Sequence, residues 1–421
     1  MLQQLTARLP WLSLSIMAMR SATLVVKFAL SLFIAHRLGM ADLGAYGLVV
    51  ATSVLLPVAL ALGIMQYLTR PLVTQPLTQV VKLIRNSWEL FLLFYAILLP
   101  FTVLAGWWFG QLELALLTLA IALFEHANTD SVNTLTNRQR PLAANISFFI
   151  RGALWVIILV PLGYLFPALH SLHAILYGWL CASIFSLIIF FILTKKWPWH
   201  LLFRQIPNHT WYRQTLGKSW TFYISEIGNT TGPLLDRYII TLFLGLEATG
   251  VYVLFWSVTN ALMNLVITGS MQIRRPQLIQ AAHQKKHAQY LKIFKQVSLQ
   301  SLGLAVILSI TAAAAFPWVA QALNRPEVLH ALPVLFIMLA GSCLRIAGDL
   351  VAHTLYAYQK DKSFTFINFL ALPISLAANL ALVPFYGLYG AAMAAIFTQF
   401  IQLGLRWWRL QPILDIMRKS S

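Results

Sequence analysis

Leu38-Gly39-Met40-Ala41-Asp42-Leu43-Gly44-Ala45-Tyr46 is written a second time, in outline, as Leu244-Gly245-Leu246-Glu247-Ala248-Thr249-Gly250-Val251-Tyr252. The Leu-Gly pair, the second glycine and the tyrosine all recur at one offset of 206 residues, close to half of the 421. A repeat at half length is the trace that duplication of a membrane unit leaves. Two weaker echoes extend it. Thr134-Leu135 with Gln139-Arg140 returns at an offset of 220 as Thr354-Leu355 with Gln359-Lys360, and Val160-Pro161 returns at 223 as Val383-Pro384. The slow drift of the offset is what small loop insertions produce.

Working outward from these stretches, apolar runs of about 20 residues or more follow one another along the whole chain, each long enough to cross ~30 Å of hydrocarbon. We read twelve, six per copy. Hydrophobic residues make up 59% of the chain and charged residues 10%, with a mean hydropathy of +0.74; a soluble domain carries roughly 25% charged residues. The expected fold class is therefore an all-α polytopic membrane protein. The first run begins near Trp11 and is expected to be a retained span, since no small-residue cleavage site follows it. The expected division is a first six-helix lobe over 1–194, an amphipathic linker over 195–218 rich in Trp and charge, and a second six-helix lobe over 219–421. Six spans per copy is an even number, so both copies share one orientation.

The net charge of +18 does not point to nucleic acid, because the Lys and Arg are scattered over short segments between spans. Of 30 such residues, 23 fall on one side, among them Arg70, Lys82, Arg85, Arg138, Arg140, Lys195, Lys196, Arg204, Arg406 and Arg409. By the positive-inside rule that side is cytoplasmic, and both termini lie there. Trp107, Trp108, Trp197, Trp318, Trp407 and Trp408 sit at span ends, where membrane-interface anchors belong. Cys181 and Cys343 have no metal-ligand spacing and read as small core residues. No cofactor or metal is expected. Short external connections such as Gln111 to Glu113 and Pro167 to Ser171 leave no room for the catalytic groups of a membrane glycan polymerase or transferase, so an enzyme is the weaker reading.

Ionisable side chains inside spans cost at least ~2.5 kcal/mol each unless paired or wetted, and so demand a reason. Arg20 and Lys27, seven apart, share one face of the first span. With Arg151 and Arg345 they form a set suited to an anionic headgroup. Local pairing is the competing reading for Arg237, which follows Asp236, and for Arg345, one helical turn before Asp349. Arg20 and Glu226 occupy matched positions at the offset of 206 and are expected to face each other across a central cavity as a gate. Asp130 and Asp349 form a second matched pair, each with a histidine one turn away, His126 and His353. Gating or ion coupling is thus expected of Glu226, Asp130, Asp349, Asp236 and Arg237, with interhelical hydrogen bonding as the alternative for the two aspartates. The run Gly228-Asn229-Thr230-Thr231-Gly232-Pro233 predicts a kink or break.

Together, Arg37-Leu38-Gly39 through Tyr46, Leu235-Asp236-Arg237 through Tyr252, and Asn379 through Ala392 with Pro384-Phe385-Tyr386-Gly387 make the chain resemble the polysaccharide flippase family of the multidrug, oligosaccharidyl-lipid and polysaccharide exporter superfamily. The resemblance implies two six-helix lobes forming a V around a central cavity. It also implies alternating-access transfer of an undecaprenyl-diphosphate-linked oligosaccharide, such as an O-antigen repeat unit, to the outer leaflet of a bacterial inner membrane. Coupling to H+ or Na+ and cooperation with other polysaccharide assembly proteins are part of the same expectation. Related drug antiporters keep an acidic residue in the first span, where this chain has Arg20 and Lys27; a cation-coupled drug antiporter is the alternative.

Overall fold

The computed structural model describes residues 2–202, 209–358 and 360–419; Arg204 and Gln359, and the middle of the expected linker, lie outside them. No strand occurs among the described residues. In the first half, α1 (Leu2–Arg37), α2 (Met40–Ala61), α3 (Ile64–Thr74), α4 (Leu77–Trp108) and α5 (Leu112–Asn137) are followed by α6 (Pro141–Phe149) and α7 (Trp155–Leu165). A wide π-turn at Ile150–Leu154 joins the last two, and α8 (Leu172–Leu193) closes the half. The second half comprises α9 (His209–Val266), α10 (Gln272–His283), α11 (His287–Leu323), α12 (Pro326–His330), α13 (Leu332–Ala357) and α14 (Asp361–Lys419), with a second π-turn at Ile267–Met271 after α9.

Among the described residues ten stretches are long and apolar enough to cross a membrane, but two of them, Thr230–Met271 and Thr365–Leu414, are about twice the length one crossing needs. Each is broken by one glycine with a backbone only glycine adopts readily: Gly245 at φ 85° and Gly387 at φ 57°. Two broken stretches and eight single ones give the twelve crossings expected. Gly39, the repeat mate of Gly245, also has positive φ, 114°, and separates α1 from α2. The duplicated Leu-Gly is therefore the same turn used twice.

The second glycine of the motif does something else. A Cβ on Gly44 would lie 2.1 Å from the Leu246 carbonyl oxygen, and one on Gly250 would lie 1.9 Å from the Met40 carbonyl oxygen. Each helix thus packs backbone against backbone, and each partner is the repeat mate of the other's neighbour, since Met40 and Leu246 are themselves 206 apart. Between apolar helices in lipid there is little hydrophobic force to gain, so close approach through small residues supplies the attraction. Gly47, facing the Val253 side chain, continues the contact.

The chain divides into two compact units. The first holds residues up to Leu30 and Val49 to Thr230; the second holds Ser31–Leu48 and everything from Thr231. The Gly44–Gly250 crossing lies wholly in the second.

Three local expectations change. Helix α9 runs on through Gly228 to Pro233, and its break falls twelve residues later at Gly245; neighbouring polar groups satisfy the backbone that a proline frees in a membrane helix. Trp197 is not an interface anchor. The Lys195–Trp199 turn folds it back to 5% exposure, stacked on Trp199 and edge-on to Phe190, whereas Trp107, Trp108, Trp318, Trp407 and Trp408 are exposed as expected. The start of the linker is thereby fastened onto α3 and α4, and Tyr212 packs nearby, its hydroxyl pushed up to about 12 by burial and the neighbouring Glu89 carboxylate. Finally, Arg406 is a buried residue within α14 and no loop charge, as described below.

Candidate functional site

The π-turn at Ile150–Leu154 carries Arg151. The Arg151 carbonyl is taken up by the Trp155 indole N–H at 2.9 Å. The Arg151 guanidinium reaches α5, where it pairs with the Glu125 carboxylate at 3.0 Å and donates to the Glu125 carbonyl and the Thr129 hydroxyl, each at 3.3 Å. Glu125 Oε1 accepts from Trp179 Nε1 and Ser183 Oγ of α8, both at 2.9 Å. A partly buried ion pair holds best when its remaining lone pairs are also satisfied, and the two indole and hydroxyl donors do this for the carboxylate.

Lys27 of α1 lies beside the same pair. Its Cε runs over Gly152, 3.7 Å from where a Cβ would stand, and Glu125 and Arg151 are the charges that act on it. One turn-pair earlier, Arg20 is exposed, and its Nε donates to Asn145 Oδ1 of α6 at 3.0 Å. Asn145 in turn spends its amide on the Pro141 carbonyl at 2.7 Å. Lys27 and Arg151 are thus gathered within one unit beside one carboxylate, Glu125, and Arg20 stands seven residues before Lys27 on the same helix, held by Asn145. Arginine donates in a planar fork and lysine as a compact point charge, a combination suited to phosphate oxygens.

The remaining expected residues are placed elsewhere. Arg345 of α13 is half-buried and makes no hydrogen bond or ion pair among the described residues. The local pairing with Asp349 does not form, because Arg406 from the far end of α14 takes that carboxylate at 3.2 Å and donates to Asn368 Oδ1 at 2.9 Å. Gly348 leaves room for the guanidinium. Arg237 is 0% exposed, donating to the Gly47 carbonyl at 3.0 Å with its guanidinium 4.2 Å from the Trp256 ring centre. Asp236 accepts from the Arg237 backbone N–H at 2.8 Å and from the Tyr252 hydroxyl. This network ties the two halves of the duplicated motif's second copy across the Gly245 break. Glu226 is half-buried on α9, and Arg20 donates to Asn145. Asp130 and His126 are each 3% exposed inside the first unit.

Sequence reasoning passed over Glu125 as the hub of the cluster and Asn145 and Trp179 altogether, and it read Arg406 as a charge between spans. A signal for the first was present. Glu125 and Arg151 lie nearly equal distances from the Asn137–Arg140 turn, which puts them at one depth on antiparallel neighbours. Arg406 carries no such signal, since its partners come from helices remote in sequence.

Comparison with known proteins adds the following. A family described as polysaccharide biosynthesis protein matches residues 11–273, more than half of the chain. An uncharacterized membrane protein of Methanocaldococcus jannaschii is 23% identical over 322 residues, covering 74% of this chain; the chain spans 62% of the length of that relative. Among solved structures, an inward-facing multidrug resistance MATE family transporter of the MOP superfamily superposes with a TM-score of 0.72 at 14% identity, over 97% of this chain and 99% of that one. The lipid II flippase MurJ in an inward closed conformation also gives 0.72, at 13% identity, over 94% and 87%. At such identities the likeness establishes the fold they share.

Proposed function

The chain belongs to the polysaccharide biosynthesis protein family, and from that premise we propose that it is a flippase for a lipid-diphosphate-linked oligosaccharide. The cargo is an undecaprenyl-diphosphate carrying an O-antigen or related repeat unit, moved from the cytoplasmic to the outer leaflet of a bacterial inner membrane by alternating access. Both termini are cytoplasmic, and the lobes are 1–194 and 219–421 with 195–218 between them. The observation that carries this reading is the placing of Lys27 and Arg151 beside the carboxylate Glu125, inside spans of one unit, with exposed Arg20 seven residues before Lys27 on the same helix. An anionic diphosphate crossing hydrocarbon needs cations that are already held in place and not fully neutralised. Arg345 is the corresponding free cation of the second unit, and Asp349, Asp236 and Arg237 belong to the networks that gate. No covalent chemistry is required, and other polysaccharide assembly proteins are the natural partners.

A cation-coupled drug antiporter is the second reading, favoured by the fold shared with a multidrug transporter. The cations of α1 count against it, because cationic cargo would meet like charge. Purified protein in proteoliposomes separates these readings. Translocation of a polyprenyl-diphosphate oligosaccharide, with none of the phosphate-free polyprenol and no efflux of a cationic dye, is the expected result. Dye efflux without lipid translocation supports the antiporter, and sugar transfer by the purified protein would revive the enzyme reading.

A further inference from the structure

The hairpin of α10 and α11 is the second copy of the hairpin of α3 and α4. Leu68, Lys82 and Arg85 of the first return at one offset of 210 as Leu278, Lys292 and Lys295 of the second, within the range of offsets that the repeat sets elsewhere. The two copies are finished differently. In the first, Arg85 is paired with Glu89 at 3.3 Å, and Trp197, Trp199 and Trp211 of the linker pack into the apolar cluster that holds Met65 and Leu68. In the second, Leu299 stands where Glu89 would, and no Asp or Glu occurs between Gln272 and Gln296, a stretch with six Lys and Arg. Leu410 and Ile413 of α14 close part of the matching core, yet neither lines the crevice that remains between α10, α11 and α13.

Met271, Leu278, Val297 and Leu350 form the buried floor of that crevice, and Ile279 and Tyr356 stand at its opening, 37% and 44% exposed. Phe294 and His353 complete the lining. Inside there is room for about one water molecule, so the crevice takes a chain laid along it and no enclosed ligand. Its cation is Arg275, which replaces the buried Met65 of the first copy. Arg275 is exposed over the Tyr356 ring, 5.0 Å from the centre, and makes no hydrogen bond or ion pair among the described residues. Arg274 beside it donates to Gln296 at 2.8 Å.

The setting decides the occupant. Tyr356 is the next-to-last residue of α13, so the crevice opens at a span end, at the level of the lipid headgroups. A phospholipid presents a phosphate and an acyl chain together at that level. Clustered Lys and Arg beside spans draw anionic lipids, and the guanidinium fork matches phosphate oxygens. We propose that the crevice is a binding site for an anionic phospholipid of the adjoining leaflet, its phosphate on Arg275 and an acyl chain along Ile279, Phe294 and Tyr356. The lipid covers the second hairpin as the linker covers the first. This site is separate from the cations of α1 and stands whether or not the chain is a flippase.

The test uses the full chain in detergent and counts retained phosphatidylglycerol by native mass spectrometry, with phosphatidylcholine as the zwitterionic probe. Wild type should hold phosphatidylglycerol in preference, and Arg275→Gln should weaken that binding ~10-fold or more, the loss of a charge-assisted hydrogen bond to phosphate. Arg275→Lys, which keeps the charge without the fork, should fall between the two, and Ile279→Ser should weaken binding through the acyl chain. Lys82→Gln, on the first hairpin, should leave it unchanged. Melting temperatures in phosphatidylcholine should match, while the rise on adding phosphatidylglycerol should be lost in Arg275→Gln. Equal binding to wild type and folded Arg275→Gln, equal retention of phosphatidylcholine, or displacement by millimolar inorganic phosphate alone would each overturn the site. Displacement by an equimolar polyprenyl diphosphate would overturn it too, by returning the crevice to the cargo path. Phosphatidylglycerol binding without translocation of any polyprenyl-diphosphate oligosaccharide by wild type removes the flippase reading and leaves this site.

Discussion

At Gly44 and Gly250 the two copies of the repeat do one thing together, whereas at Asn145 and Asn368 they do opposite things. The glycines meet across a single crossing, each set against the carbonyl of the other helix, at 2.1 and 1.9 Å for the missing Cβ. The asparagines are also matched, at the offset of 223 set by Val160-Pro161 and Val383-Pro384, and each accepts a hydrogen bond from an arginine. In the first unit that arginine is the exposed Arg20 of α1. In the second it is Arg406 of α14, 5% exposed and neutralised by Asp349. Steric demands at a backbone crossing admit glycine alone, so duplication leaves them alike. A polar position near a span end needs only some satisfied partner, so the charge bonded to it can be locked in one copy and left available in the other.

The sharpest way to break the first half of this comparison is Gly250→Val. Its side chain would have to enter space held by the Met40 carbonyl, and we expect no folded protein by size-exclusion chromatography in detergent. Gly44→Val should fail equally, and a folded variant of either would mean that the crossing is not close-packed. The second half is tested next by Asp349→Ala, which leaves the Arg406 guanidinium buried without its counter-charge. A loss of ~3 kcal/mol is expected, read as a lowered melting temperature. Asn368→Ala removes the remaining Arg406 acceptor and should cost ~1–3 kcal/mol. Asn145→Ala, at the matched site, should cost only ~0.5–1 kcal/mol because exposed Arg20 finds water or headgroup oxygens instead. Equal losses at the two asparagines would erase the distinction between a locked arginine and an available one.

The parts of this molecule written in local sequence were legible before the structure. Spans announce themselves by length and hydropathy, and the Leu-Gly turns at Gly39 and Gly245 by repetition, because only glycine takes their positive φ at little cost. Arg20, Lys27 and Arg151 were visible as charges out of place. What they touch was not, since Glu125, Asn145 and Trp179 come from other helices and ordinary spacing rules stop at the end of one helix. Asp349 shows the limit most clearly. Its neighbour one turn away, Arg345, is the partner that helical spacing offers, yet Arg406 arrives 57 residues later, with Asn368 and the room above Gly348 to hold it. Trp197 was misplaced for a similar reason: a tryptophan at a span end is drawn to the interface unless a turn such as Trp197-Pro198-Trp199 folds it onto neighbouring aromatics.

The central claim is that the cations of the first unit take the anionic headgroup while Arg406 of the second is structural. The most direct measurement is the initial rate of polyprenyl-diphosphate-oligosaccharide translocation in proteoliposomes for wild type, Arg20→Ala and Lys27→Ala, after their melting temperatures have been shown to match. Loss of translocation in both variants, with folding intact, is the result this account predicts; wild-type rates in both would contradict it.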